Sequence, residues 1–328
     1  MARKAPGKSH RKGLTFMEVA NMFRDEETAR EWIEKERWPD GPYCPRCGTF
    51  NVQCNIRHKT MTHRCRECMS GKSKTMFTVR IGTVMESTKM PYRAWAVGIY
   101  LFTTNIKGVS SMKLHRELGI SQKAAWFMLH RLRLAFEAET GAFMGPVEVD
   151  ETYMGGKMKN MHGKQRREAR QKPDLGKTII AGARDRATGA VRAQTVEAAD
   201  KETLSAFIGT HAAPGATIYT DEARAYSGMS NRESVNHSRG EYVRDDGVST
   251  NGMESFWSML KRGHVGTFHK ISPKHMDRYV QEFAGKHNVR DADTIDQMSG
   301  IIAGMVGKRL TYEALIADNG LSSGARSA

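Results

Sequence analysis

Three acidic residues stand in three separate motifs: Asp150 in VEVDETYMGG, Asp221 in IYTDEARAY and Glu254 in STNGMESFWSMLKRG. The apolar runs ahead of the two aspartates read as strands that end at them, and the third motif reads as a helix. Carboxylates gathered from separate elements suit divalent cations, because Mg²⁺ takes oxygen ligands, typically one or two carboxylates with water and substrate phosphate. Convergence of these three would point to phosphoryl transfer on nucleic acid. In a strand, residues two apart share a face, so Glu148 and Asp150 point one way and Val147 and Val149 the other. A lone Asp at a strand end ordinarily caps a helix or closes a turn. Two matched Asp-Glu steps followed by an acidic helix argue for a site instead. On that helix Asn251, Glu254 and Lys261 fall close to one face. Glu254 is the favoured third ligand, because a neutral amide oxygen binds Mg²⁺ more weakly. Asn251 stays open as the alternative ligand or as an N-cap. Lys261 is placed to hold a DNA phosphate as a point charge. Phe256, Trp257 and Leu260 are expected on the opposite face, in the core. His237 and His269 read as structural.

A second constellation precedes these. Cys44 and Cys47 form one CxxC, Cys65 and Cys68 another, with residues 48–64 between them. This is two-knuckle zinc spacing, and four thiolates complete a closed tetrahedral shell. It predicts a zinc ribbon over residues 39–88. His58 and His63 are conceivable substitute ligands, but the cysteines already fill the shell. The fifth cysteine, Cys54, reads as a half-buried free thiol. Metal-type cysteine pairing implies a reducing cytoplasm.

The remaining elements must position these groups. Residues 1–13 read as a disordered basic arm, and 14–38 as helical with a break near Asp25. Residues 89–140 read as helical. There Ser110 and Ser121 are caps either side of a Gly119-Ile120 turn, which has the length and chemistry of a helix-turn-helix. Its second helix offers Lys123, Arg131 and Arg133 to DNA, around an apolar stripe of Ala125, Met128, Leu129 and Leu132. From residue 145 strands and helices mix, predicting an α/β domain to about residue 290. Within it, residues 157–172 read as a flexible basic loop that includes Lys164, Arg166 and Arg167. Residues 291–328 read as a helical segment and tail. The 51 Lys and Arg against 36 Asp and Glu give a net charge of +15, which favours a polyanionic partner. No apolar run reaches the ~18 residues of a membrane span, so no membrane partner is expected.

VDETYMGG, YTDEARAY and TNGMESFWSMLKRG, behind a CxxC…CxxC ribbon, resemble the bacterial insertion-sequence transposases that pair a DDE domain with an N-terminal zinc ribbon, of the ISXO2-like type. The likeness covers roughly residues 20–290. It implies a ribonuclease-H-like catalytic domain, a mixed sheet flanked by helices, behind the ribbon and the helix-turn-helix-like region. It also implies two Mg²⁺ (or Mn²⁺) held by Asp150, Asp221 and a third residue that the group fills with Glu or Asn. The Glu254-to-Lys261 spacing matches the acid-then-basic helix of such enzymes and favours Glu254. Lys261 and Arg262 would then contact DNA. The implied partners are double-stranded DNA, both element ends and target, and further copies of the chain on that DNA. The implied location is the nucleoid of a prokaryotic cytoplasm. Two other readings compete: a zinc-ribbon DNA-binding regulator with an inactive catalytic domain, and a metal-dependent nuclease without strand transfer.

Overall fold

The computed structural model describes residues 12–58, 60–68, 75–136, 141–155, 162–163, 166–167, 170, 176–228, 231–235 and 249–323. His237, Lys164 and nearly all of the N-terminal arm lie outside these. The chain divides into two compact units, one of residues 1–105, 109–136 and 290–317, the other of 106–108, 137–289 and 318–328.

The first unit begins with helices α1 (Phe16–Met22) and α2 (Glu26–Arg37). Asp25 separates them, its side chain accepting from the Thr28 amide as the α2 N-cap. A small antiparallel sheet follows, β1 (Val52–Gln53), β2 (His63–Cys65) and β3 (Met76–Phe77). In β2 His63 and Cys65 turn inward while Arg64 faces out. Helix α3 (Tyr92–Thr104) is buried along most of its length, as its apolar composition demands. Trp95, Ile99 and Phe102 share a core with α2 and with α4 (Ser111–Leu118) and α5 (Gln122–Arg133). Two C-terminal helices, α9 (Thr294–Met305) and α10 (Tyr312–Ile316), return to this same core through Met298, Ile302, Met305 and Leu315. The helical segment read within residues 291–328 is therefore two helices, broken after Met305, where Gly307 takes a positive φ of 76°.

The second unit is built on a five-stranded mixed sheet in the order β6-β5-β4-β7-β8. Its strands are β4 (Val147–Gly155), β5 (Lys177–Asp185), β6 (Val191–Val196), β7 (Ile218–Asp221) and β8 (Arg232–Val235). The first three run antiparallel as a meander, whereas β7 and β8 join β4 in parallel. One face packs on α6 (Lys201–His211), where Leu204 and Phe207 meet Val147, Val149, Ala181 and Ile218. The other carries α7 (Asn251–Gly263) and α8 (Pro273–Asn288), where Phe256, Leu260, Val280 and Phe283 meet Ile180 and Ala193. Alternation along each strand sends Val147 and Val149 to the α6 face and Glu148 and Asp150 to the α7 face.

Candidate active site

Asp150 and Asp221 are brought together by strand register. In the parallel pair, Val147 lies opposite Ile218 and Glu148 opposite Tyr219. Two residues further on in each strand stand Asp150 and Asp221, on the same face, with neighbouring strands about 4.8 Å apart. Asp221 ends β7, where its Oδ1 accepts from the Ala223 amide at 3.0 Å and fixes the turn. Asp150 does not end its strand. It is the fourth of nine residues of β4, which continues to Gly155.

Helix α7 packs on this face, against β4 and β5. The Trp257 indole Nε1 donates to Asp150 Oδ2 at 2.9 Å. Trp257 is 4% exposed, yet it serves the site as well as the core, which corrects its assignment to the opposite face. It can approach because Gly182 lies directly across from Asp150 on β5. A Cβ at Gly182 would collide with Met253 Cε and with the Trp257 ring. Glu254 and Lys261 flank Trp257, three residues before it and four after, on the same side of α7. Both are exposed, and they line a cavity of about 900 Å³ together with Lys107, Trp257, Ser258 and Arg262. Asn251 is the exposed first residue of the helix; Thr250 is its N-cap. Beyond α7 the backbone continues as a π-helical turn, His264–Phe268, an irregularity often found beside functional sites. His269 follows with φ 59°, and its Nδ1 lies 2.9 Å from the Val265 carbonyl oxygen.

Burial, then the charges of Glu151 and Asp221, push the Asp150 carboxyl up to about 7, against the Trp257 hydrogen bond that favours the ionised form. Glu151 escaped the sequence reading. Its carboxylate accepts from the Tyr226 hydroxyl at 2.5 Å. Burial raises its pKa while the Tyr226 bond opposes this and Asp221 adds to it. Burial and the Glu151, Asp150 and Asp221 charges raise the Tyr226 phenol as well. The repeated Asp-Glu step was the available signal, since it marks Glu151 as clearly as Asp150. Asp150 and Asp221 share one sheet face, and the Asp221 charge is among those that raise the Asp150 carboxyl, so the pair offers oxygen donors whose repulsion a divalent cation would relieve and fits Mg²⁺ or Mn²⁺.

The cysteine set is more compact. Among the described residues, Cys44, Cys47, Cys65 and Cys68 form the one group of His, Cys, Asp or Glu whose ligand atoms all lie within 4.8 Å of one another. The Sγ separations are 3.7 Å for Cys44–Cys68, 3.6 Å for Cys47–Cys65 and 3.6 Å for Cys47–Cys68. Four thiolates at about 2.3 Å from a tetrahedral zinc stand about 3.8 Å apart, so the spacing fits that ion. Contacts with Cys47, then Cys65 and Cys44, push the Cys68 thiol up to about 12, a cost that bound zinc removes by favouring thiolates. His63 is not at this site: it is buried, stacked on Phe77 at 5.4 Å between ring centroids. Exposed His58 turns its Nδ1 to the Thr60 and Met61 amides. Cys54 is exposed rather than half-buried.

The expected DNA contacts on α5 divide. Lys123 is exposed, with its Nζ 4.3 Å from the Tyr312 ring centroid. Arg131 and Arg133 are only 6% and 1% exposed. Arg131 Nε donates to the Leu310 carbonyl at 3.2 Å, and its guanidinium lies over Phe127. Arg131 is held by the segment leading into α10 and both residues are buried, so neither presents a face to DNA. Arg166, Arg167 and Arg262 are exposed. Arg166 and Arg167 sit in helical backbone, with the Arg166 amide donating to the His162 carbonyl, rather than in an open loop.

Residues 142–288 match the ISXO2-like transposase domain family, and residues 24–70 the transposase zinc-ribbon domain family. Over 283 residues the chain is 26% identical to an "Uncharacterized protein in transposable element ISH50" of Halobacterium salinarum, covering 81% of this chain and 92% of that one.

Proposed function

We propose that this chain, an insertion-sequence transposase of the ISXO2-like type with an N-terminal zinc ribbon, cuts the ends of its element and joins them to target DNA. The observation that carries this is the register-paired Asp150 and Asp221 beside α7. The mixed sheet with helices on both faces supports a ribonuclease-H-like reading of the catalytic unit. Asp150, Asp221 and Glu254 would hold two Mg²⁺ or Mn²⁺. Glu254 is preferred over Asn251 because it flanks Trp257 and lines the cavity, which Asn251 does not. Bound there, the ions supply charge stabilisation to the attacking and leaving oxygens of an in-line displacement.

The chain's own residues orient and exclude. Trp257 holds one Asp150 oxygen and the Ala223 amide holds one Asp221 oxygen, which orients both carboxylates. Lys107, Lys261 and Arg262 give the cavity a cationic rim suited to a DNA strand. In the first step a water oxygen bonds to phosphorus as the P–O3′ bond at the element end breaks, leaving a free 3′-hydroxyl. In the second, that hydroxyl bonds to a target phosphorus as the target P–O3′ bond breaks. Neither step needs a protein nucleophile.

The test is incubation of an end-bearing duplex with target DNA and Mg²⁺. Cleaved and joined products are expected from the parent and from neither Asp150→Ala nor Asp221→Ala. Cleavage without joining would favour the nuclease reading. Equal cleavage by parent and variants would defeat the enzyme reading.

A further inference from the structure

The α7 N-terminus is held by a charge that belongs to the sheet. Glu148 is 2% exposed on β4, two residues before Asp150 and on the same face. Its Oε2 accepts from the Met253 amide at 3.1 Å, in the first turn of α7. Its Oε1 takes Arg184 Nη1 at 3.0 Å, with Arg186 Nε at 3.7 Å. Arg184 is directly across from Glu148 on β5. Thr250, the N-cap residue, makes no side-chain cap bond. The first-turn amide that a local cap would satisfy is thus satisfied from the strand. Gly252 completes the joint, since a Cβ there would collide with Arg184 Nη1 and Glu148 Oε2.

We infer that Glu148, steadied by Arg184, is a positioning residue that sets the register of α7 on the sheet and so presents Glu254 to the metal held by Asp150 and Asp221. The joint lies at the two residues just before Glu254, Gly252 and Met253, and the Trp257 bond to Asp150 lies about one turn after it. Glu254 is therefore clamped from both sides, by two contacts to the strand that carries the first aspartate. An exposed glutamate on a free surface helix would lose side-chain and helix freedom on taking a metal. The two clamps remove much of that freedom beforehand.

This inference rests on the transposase reading and is separable from it. End cleavage is measured against Mg²⁺ concentration for the parent, Glu148→Gln, Glu148→Ala and Gly252→Ala, with metal-free end-DNA binding and thermal unfolding in parallel. Glu148→Ala and Gly252→Ala should raise the half-saturating Mg²⁺ about tenfold, a loosened-shell effect of the usual size, with DNA affinity within twofold of the parent. Glu148→Gln keeps an acceptor for the Met253 amide and should fall between. Gly252→Ala is the decisive variant, because alanine favours helix and should not lower stability through α7 itself. If the parent fails to cleave, the transposase reading falls. If the parent cleaves and Gly252→Ala and Glu148→Ala keep its Mg²⁺ half-saturation, losing rate only with folded fraction, Glu148 is merely structural and the inference falls.

Discussion

Burial and two neighbouring carboxylates set an electrostatic cost on ionising Asp150. Its folded value, about 7, lies above the ordinary carboxylate range. Stability from the neutral form is present at low pH and is lost as pH rises through about 7. In chelator, Asp150→Asn should therefore stabilise the protein at pH 8 by about 2 kcal/mol, half the full linkage because the side chain keeps some hydration. The gain should shrink by pH 5, as thermal unfolding at the two pH values will show. With Mg²⁺ present the same substitution should abolish cleavage. The third position separates more finely. Glu254→Gln should cost at least ~10²-fold in cleavage rate, the scale of a lost electrostatic stabiliser, whereas Asn251→Ala should stay within a few-fold. The reverse pattern would assign the ligand to Asn251. Both aspartates were legible as residues, because each follows an apolar run and repeats the Asp-Glu step. Glu151 and Glu148 were passed over as neighbours: nothing in one strand's sequence says that Glu148 will meet a helix amide about a hundred residues away.

At the scale of elements, α7 on the sheet is the decisive contact. Gly182→Ala should push Trp257 and Met253 outward and destabilise the protein by about 1–3 kcal/mol, as overpacking does. Trp257→Phe keeps most of the ring volume but loses the bond to Asp150, so activity should fall more than stability. Parallel melting and cleavage measurements distinguish the two. Most of these elements were legible from periodicity. The strand that ends at Asp221 and the helix at 251–263 fall close to where the apolar run and the spacing put them. Helix α8 was missed, although Ser272 and Pro273 mark its start, because its apolar residues are spread among charges. Arg131 and Arg133 misled for a physical reason. A basic residue on a helix reads as solvent-facing until another element covers it, and α10 comes from some 180 residues downstream. Their burial makes Arg133→Ala a stability variant, costing about 3 kcal/mol in thermal unfolding through lost packing.

At the scale of the molecule, the chain uses one unit to hold a zinc-type site and another to hold the acidic pair. Cys44→Ser should release zinc, read by metal analysis, and abolish specific end binding, because such a ribbon folds on its ion. The units' segmentation was only partly legible. Residues 291–328 read as a separate helical segment and tail, yet the apolar residues of 290–317 complete the first unit's core. On the proposed mechanism Asp150 and Asp221 ligate the ions on which cutting and joining depend. The most direct measurement is end cleavage by Asp150→Cys and Asp221→Cys in Mg²⁺ and again in Mn²⁺. A thiolate is a poor ligand for Mg²⁺ and a better one for the softer ion. No product is expected in Mg²⁺ and restored product in Mn²⁺, for both variants. Parent-level cleavage in Mg²⁺ by either variant would contradict the proposed mechanism.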